Sequence, residues 1–147
     1  MAWHLDLSIE RNEEALGTIR IAADKEECCL LLKAKVISDS LVKHGWQALI
    51  TGMRQDEHPD RALDEYFSPR HNPPHYRVQP ILHFTEMDIW QYIKANDVPF
   101  CSLYSRGYRS LGCEPCTQLG RAGRAERAGR DQAKEGIMRR LRTMGYF

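Results

Sequence analysis

The stretch EECCLLLKAKVISDSLVKHGWQALITG, residues 26–52, decides the fold class. Between Glu26 and His44, apolar residues recur at spacings of three and four, which predicts an amphipathic helix. Gly45 then occupies the position after a helix that glycine favours. Gln47–Gly52 is a short apolar run that ends in glycine, which is typical of a buried strand. A helix followed at once by a buried strand indicates an α/β domain.

The rest of the chain supplies further elements of the same kind. Thr85 is a good helix N-cap, and Asp88 three residues later matches a capping box. The remaining predictions are a short strand at residues 18–23, a polar irregular segment at 53–72, a second strand at Arg77–Leu82, a helix at Glu86–Ala95 that buries Ile89, Trp90 and Ile93, and a final helix at Asp131–Met144. Together they predict an α/β fold with a small, mainly parallel sheet flanked by helices.

Length and composition narrow the classes of function. The 147 residues suit about one domain, and 42% hydrophobic with 28% charged residues is ordinary for a globular protein. A net charge of +1 argues against a protein that binds nucleic acid or membranes through bulk charge. The charge is uneven, because residues 1–116 carry a net −4 and residues 117–147 a net +5. We therefore divide the chain into a shortened α/β domain at 1–117 and a basic Arg-Gly tail with a final helix at 118–147.

The sequence also predicts a location. It contains no run of about 18 apolar residues, so we expect no transmembrane helix. Met1–Asp6 lacks the basic and apolar regions of a secretory signal. We expect a cytoplasmic protein whose five cysteines do not form disulfides, because the cytosol is reducing.

Four of the cysteines form two close pairs. Cys28 and Cys29 lie near the start of the predicted helix, and Cys113 and Cys116 form a CxxC turn. Four thiolates from two such sites suit either zinc or an iron–sulfur cluster. Adjacent helical residues diverge by about 100°, which modestly favours a cluster. The alternative is that these cysteines are small buried side chains and the CxxC spacing is incidental, and we expect Cys101 to be such a buried thiol.

Arginines concentrate in two segments. Arg54, Arg61 and Arg70 follow the predicted strand Gln47–Gly52, where open α/β sheets form their ligand crevice. Arginine there suits phosphate or sulfate. The alternative is a solvated loop in which these arginines pair with nearby acids, namely Asp56, Glu57, Asp60 and Asp64. The tail repeats one basic unit at 121–124 and 127–130, which predicts either an anion-binding loop or a flexible linker.

With these residues in view, the chain resembles the phosphoadenosine-phosphosulfate and adenosine-phosphosulfate reductases, within the adenine nucleotide alpha-hydrolase superfamily. The resemblance covers about residues 26–131. It is carried by CCLLLK at 28–33, TGMR at 51–54, PIL at 80–82, TEMDIWQYI at 85–93, RGYRSLGCEPCT at 106–117 and ERAGR at 126–130. It implies a 4Fe–4S cluster on Cys28, Cys29, Cys113 and Cys116, with zinc as the alternative. It also implies that the substrate, an adenine sulfonucleotide, is bound by Lys33, Arg54, Arg61, Arg127 and Arg130.

Part of the chain departs from that pattern. Residues 54–70 are similar to the arginine-rich segment of the small subunit of ATP sulfurylase, and Glu57-His58 stands where the reductases have Gln-Ser. The 27 residues before Cys28 contain no Ser-Gly-Gly-Lys-Asp-Ser-like phosphate loop, and residues 134–140 contain no cysteine like the nucleophile of the reductases.

The departures leave three readings open. The first is a sulfonucleotide-reductase-like protein of sulfate assimilation, with thioredoxin as a partner. The second is a non-catalytic or split subunit that docks on a partner supplying the phosphate loop. The third is a nucleotide-binding protein like the small subunit of ATP sulfurylase. We expect a homo-oligomer or a heterocomplex, because missing strands would expose a sheet edge, and we expect no membrane or nucleic-acid partner.

Overall fold

The computed structural model describes residues 6–120 and 125–145. The helices and strands, in chain order, are α1 Glu13–Thr18, α2 Lys25–Cys29, α3 Lys35–His44, β1 Ala48–Ile50, β2 Phe67–His71, β3 Pro74–Val78, α4 Glu86–Ala95, α5 Gln132–Gly136 and α6 Met138–Thr143. The three strands form one sheet in the order β1-β3-β2. No helix within the described ranges is both long enough and apolar enough to cross a membrane.

The α/β class is confirmed, and the sheet is mixed where a mainly parallel one was expected. β1 runs parallel to β3, with Leu49 opposite Arg77. β2 runs antiparallel to β3, because only Asn72 and Pro73, joined by a cis peptide bond, separate the two strands. A connection of two residues permits only an antiparallel hairpin, whereas parallel strands need a long crossover. β2 itself was not predicted, since residues 53–72 read as irregular.

The long helix predicted at Glu26–His44 is confirmed, with one irregularity. Its start is fixed by Asp24, whose side chain accepts hydrogen bonds from the backbone N–H groups of Glu26 and Glu27. Its end is fixed by Gly45, which adopts φ 64°. Between α2 and α3 the backbone widens into a single π-helical turn at Leu30–Ala34. This π segment joins α2, which bears the cysteine pair, to α3.

Two predicted strands need correction. The segment 18–23 is not a strand: α1 ends at Thr18, and Ala22 adopts a φ of 64°, which no strand contains. The second strand is β3 at Pro74–Val78, displaced toward the N-terminus from the predicted Arg77–Leu82. The chain after β3 turns instead, since Leu82 N–H donates to Gln79 O at 3.2 Å. The apolar run at 80–82 therefore marks a turn, in which Leu82 is fully buried and Pro80 is exposed.

Helix α4 has the predicted bounds, and its capping box is present. Thr85 Oγ1 accepts from the backbone N–H of Asp88 at 3.2 Å, and the carboxylate of Asp88 accepts from the backbone N–H of Thr85 at 2.7 Å. The predicted apolar face is only half-buried, at Ile89, Trp90 and Ile93.

The C-terminal segment folds back onto α2. The helix predicted at Asp131–Met144 is divided into α5 and α6, because Ile137 leaves helical geometry directly after Gly136. Met138 and Leu141 of α6 pack with Cys29 in a buried cluster. The described ends of the connection between the Cys113–Cys116 turn and α5 lie against each other, since Gln118 N–H donates to Gly129 O at 2.7 Å. The division of the chain at residue 117 stays a prediction.

Candidate functional site

All four paired cysteines line one cavity. Cys28 and Cys29 come from α2, whereas Cys113 and Cys116 flank a single 3₁₀ turn. That turn is tight, since Cys116 N–H donates to Cys113 O at 2.9 Å. The cavity has a volume of about 160 Å³, and its other walls are mostly apolar. Cys29 and Cys116 are buried, and Cys28 and Cys113 are partly so.

Three lysines, Lys25, Lys33 and Lys134, make this cavity electropositive. Burial alone would raise the pKa of Cys113, but a hydrogen bond from Lys33 and the charges of Lys33 and Lys134 outweigh it, so that pKa lies below its ordinary value. Burial raises the pKa of Cys29, and Lys134 opposes the rise only in part. Lys25 is held at the cavity by Asp131 at 3.2 Å. The surroundings of Cys113 therefore favour a thiolate, the form that binds metals.

The donor set can be compared with the groups that the sequence predicts. In residues 6–120 and 125–145, no three or more His, Cys, Asp or Glu side chains are placed around one point as ligands of a single metal ion. The four thiols instead surround a shared cavity from two sides. Such a donor set fits a polynuclear iron–sulfur cluster, which takes one thiolate at each iron. Ligation of a cluster by these cysteines stays a prediction.

A second cavity opens at the carboxyl end of β1, where the sequence predicts the ligand crevice. Its volume is about 280 Å³, and Thr51 and Gly52 form part of its wall. Lys33 and Arg61, two of the predicted substrate-binding residues, line it. Because Lys33 also lines the cysteine cavity, the two cavities are neighbours with a cation between them.

A third, smaller cavity of about 70 Å³ joins the arginines to the cysteines. Arg61, Arg127 and Arg130 line it together with Cys116 and Lys134. Arg130 Nε donates to Ser110 Oγ at 2.9 Å, which holds its side chain beside the cysteine-bearing segment. The structure thus gathers four of the five predicted substrate-binding residues around the cysteine cavity.

The fifth predicted residue, Arg54, is not among the lining residues of these three cavities. Its side chain is buried and donates to Glu126 Oε2 at 2.6 Å and to Asp56 Oδ1 at 2.9 Å. Arg61 pairs with Glu57. The predicted alternative of arginine–acid pairing is therefore correct for these pairs, but the arginines are buried rather than solvated.

Two glutamates, Glu126 and Glu135, are ion-pair partners of the arginines at this site. Arg127 forms two hydrogen bonds of 2.7 Å with Glu135. Burial raises the pKa of Glu126, and the charge of Arg54 opposes that rise only in part. Burial would also raise the pKa of Glu135, but the hydrogen bond and the charge of Arg127 hold it below its ordinary value.

Sequence reasoning missed Arg77. This residue of β3 is 2% exposed and lines the crevice at the end of β1. Its Nη2 donates to Gly145 O at 2.7 Å, while Nε and Nη1 have no hydrogen-bond partner among the described residues. Burial, reinforced by Arg70 and Arg142 and opposed by Asp64, lowers the pKa of Arg77 to about 10. The sequence contains one signal for it, because Arg77 is the charged residue of the predicted strand Arg77–Leu82.

The predictions for Cys101 and for the basic repeats of the tail have separate outcomes. Cys101, expected to be buried, is exposed in the segment that follows α4, and it is not among the lining residues of the three cavities above. Of the two basic repeats in the tail, 121–124 lies outside the described residues. The other begins in a 3₁₀ turn at Glu126–Gly129, so it is ordered against the cysteine segment and is not a flexible linker.

Comparison with solved structures supports the fold. The Candida glabrata FMN adenylyltransferase in complex with FAD and inorganic pyrophosphate matches with a TM-score of 0.53 and 28% identity, over 59% of this chain and 30% of that one. The same enzyme with FMN and an ATP analogue matches over 78% of this chain and 51% of its own, with a TM-score of 0.52. At 19% identity, the second match shows the fold alone. An adenine nucleotide alpha-hydrolase-like fold is thereby confirmed.

Comparison with known sequences supports the family. The adenosine 5'-phosphosulfate reductase of Oceanobacillus iheyensis is 32% identical over 125 residues, which is 85% of this chain and 51% of that protein. Adenosine 5'-phosphosulfate reductase 1 of Bacillus subtilis is 31% identical, over 85% of this chain and 53% of that protein. The chain therefore spans about half the length of the curated relatives it matches. The model of the phosphoadenosine phosphosulfate reductase domain matches residues 3–119. The chain belongs to the phosphoadenosine phosphosulfate reductase family.

Proposed function

We propose that this chain binds an adenine sulfonucleotide of the adenosine phosphosulfate class beside a 4Fe–4S cluster, as part of a sulfonucleotide reductase of sulfate assimilation. The observation that carries the proposal is the position of Lys33. It lines both the cysteine cavity and the crevice at the end of β1, so one cation contacts both regions.

The residues around the crevice suit the anionic part of such a ligand. Arg61, Arg127 and Arg130 present guanidinium groups to one cavity, and a guanidinium donates two parallel hydrogen bonds to a phosphate or sulfate. Arg77 adds a buried cation with two nitrogens that lack partners among the described residues. We assign the ligand's charged end to these groups and its nucleoside to the open side of the crevice.

Cys28, Cys29, Cys113 and Cys116 would hold the cluster. A cluster there adds metal-centred charge and redox capacity beside the bound anion. Lys33, Lys134 and Lys25 offset the negative charge of the thiolates, which keeps the neighbouring crevice attractive to anions. Cys101 has no role in the proposal, because it is exposed and absent from the cavity linings. We therefore expect no thioredoxin-dependent release of sulfite from this chain alone.

The cluster is tested by anaerobic purification. The protein should be brown and contain about four irons per chain, as a cubane cluster on four cysteines requires. Cys113→Ser and Cys116→Ser should lose the colour, whereas Cys101→Ser serves as the matched control and should keep it. A colourless protein with one zinc per chain, or one without metal, would contradict the cluster.

The ligand is tested by calorimetric titration with adenosine phosphosulfate. Arg61→Ala should weaken binding at least about ten-fold, because it removes a charge-assisted hydrogen bond of roughly 1.5–3 kcal/mol. Lys94→Ala removes the same charge from the exposed side of α4 and should leave binding unchanged. Equal effects of both variants would show that bulk charge, rather than the crevice, binds the ligand.

The second candidate function is that of a subunit in a larger assembly, and an exposed apolar face of the sheet supports it. Ile50, Phe67 and Tyr76 share this face, because Ile50 and Phe67 are both paired with Val78, two residues from Tyr76. Their side chains are 72%, 64% and 56% exposed, respectively. A contiguous apolar face of this kind marks a surface for another polypeptide. Light scattering should give a mass above that of the monomer, and a monomer at all concentrations would contradict self-association.

A further inference from the structure

Glu57 lies among the arginines that the proposed function assigns to the substrate. It follows β1 in the segment that leads to the 3₁₀ turn Pro59–Arg61, and its side chain is 17% exposed. Its carboxylate forms an ion pair with Arg61, lies 3.6 Å from Arg127 Nη1 and lies 4.0 Å from Arg54 Nη1. One carboxylate therefore contacts three of the five predicted substrate-binding residues.

The position of Glu57 matters as much as its contacts. It lines the crevice at the end of β1 together with Lys33 and Arg61. Glu126 contacts Arg54 and Glu135 contacts Arg127, but neither lines that crevice among the described residues. The carboxylate of Glu57 thus lines the crevice and engages Arg61 there, and it also lies beside Arg127, which lines the smaller cavity with Arg61.

A carboxylate at this place has two effects on an incoming anion. It accepts a hydrogen bond from Arg61 Nη1, so that donor is engaged before the ligand arrives. Its negative charge also repels the ligand in a partly buried site, where screening by water and salt is weak. Binding of a phosphate or sulfate group then requires the carboxylate to move away from the arginines.

We propose that Glu57 sets the affinity of the crevice for anions, as an internal anion that competes with the oxyanion of the ligand for Arg61 and Arg127. This inference rests on the proposed function for the identity of the ligand. Glu57 lowers the affinity for every oxyanion that enters the crevice, so a ligand needs additional contacts elsewhere to bind tightly. A glutamine at this position keeps the shape and an acceptor oxygen but removes the competing charge.

The test compares the wild-type protein, Glu57→Gln and Glu65→Gln by calorimetry at one pH and one salt concentration. Glu65→Gln is the matched control, because it makes the same change of charge at an exposed residue. Each protein is titrated separately with adenosine phosphosulfate and with inorganic sulfate. We expect Glu57→Gln to bind both ligands about ten-fold more tightly, since charge-assisted bonds become available to the ligand. We expect Glu65→Gln to match the wild type.

The outcomes separate this inference from the proposed function. Unchanged affinity of Glu57→Gln for both ligands would overturn the inference, and so would an equal gain in Glu65→Gln. Tighter sulfate binding by Glu57→Gln, without binding of adenosine phosphosulfate by any protein, would support the inference and overturn the proposed ligand. If Glu57→Gln does not fold, Glu57→Asp withdraws the carboxylate by one methylene. That variant should show a smaller gain, and no gain would overturn the inference.

Discussion

Replacing Gly129 with alanine should loosen the tail from the cysteine segment. A β-carbon at position 129 would overlap the carbonyl oxygen of Gln118 and lie 3.1 Å from the backbone nitrogen of Gly120. Both are backbone atoms, so the two segments must separate by about 1 Å to restore ordinary contact distances. That separation breaks the 2.7 Å hydrogen bond from Gln118 N to Gly129 O and strains the 3.1 Å bond from Asp131 N to Cys116 O.

The expected cost follows from these contacts. Overpacking of this kind costs about 1–3 kcal/mol, and a lost backbone hydrogen bond adds about 0.5–1.5 kcal/mol. We expect Gly129→Ala to lose about 2–3 kcal/mol of unfolding free energy, measured by urea denaturation. Gly136→Ala is the control, because a β-carbon there meets no atom within 4 Å and alanine favours the helix. A loss below about 0.5 kcal/mol for Gly129→Ala would refute the close approach that we describe.

Three further predictions address the site, the core and the pH dependence. A β-carbon at Gly112 would overlap the Arg130 guanidinium, so Gly112→Ala should weaken sulfonucleotide binding in calorimetry with little loss of stability. Leu141 is fully buried beside Cys29, so Leu141→Ala should lower the unfolding free energy by about 2–5 kcal/mol. A smaller loss would argue against that packing. Burial raises the pKa of Glu126 above 4.5, so its ionisation destabilises the folded chain as the pH rises through 4.5 toward that higher pKa. The unfolding free energy of Glu126→Gln minus that of the wild type should therefore be more positive at about pH 7 than at about pH 4, as measured by urea titration. An equal difference at both pH values would contradict this.

The elements that the sequence predicts correctly are those with local signals. The helix at 25–44 begins with a side-chain cap at Asp24 and ends at Gly45, and α4 begins with the capping box of Thr85. These interactions join residues within four positions of each other, so they can be recognised without knowledge of the fold.

The missed and misplaced strands depend on pairing with a neighbouring strand. β2 contains Pro69 and Arg70 and has no apolar alternation, and it is a strand because β3 pairs with it across a two-residue turn. The segment 18–23 has an apolar pattern but lacks such a partner in the described sheet. Pairing with a neighbour, rather than intrinsic preference, decides the state of short strands.

The candidate site shows the same division. The two cysteine pairs are recognisable as local motifs, and their convergence on one cavity follows from the packing of α2 against the Cys113–Cys116 turn. The local arginine–carboxylate pairs, such as Arg61 with Glu57, are also recognisable in the sequence, whereas the pair of Arg54 with Glu126 joins residues 72 positions apart. Arg77 is part of the site only because β3 lies next to β1. Spatial relations of this kind require the folded chain.

The π-helical turn at Leu30–Ala34 sets the rotational phase of the first long helix. At 100° per residue, an uninterrupted α-helix would place Cys29 and Leu41, twelve positions apart, about 120° from each other. A π turn accommodates one extra residue, so the effective separation is eleven positions and the angle falls to about 20°. Cys29, Ala34 and Leu41 are all buried, as one continuous face would require. Deleting a single residue from this turn would leave eleven ordinary α-helical positions and keep the angle at about 20°, whereas regularising the turn without a deletion would rotate the cysteine pair by about 100° relative to α3 and direct Cys29 away from α6.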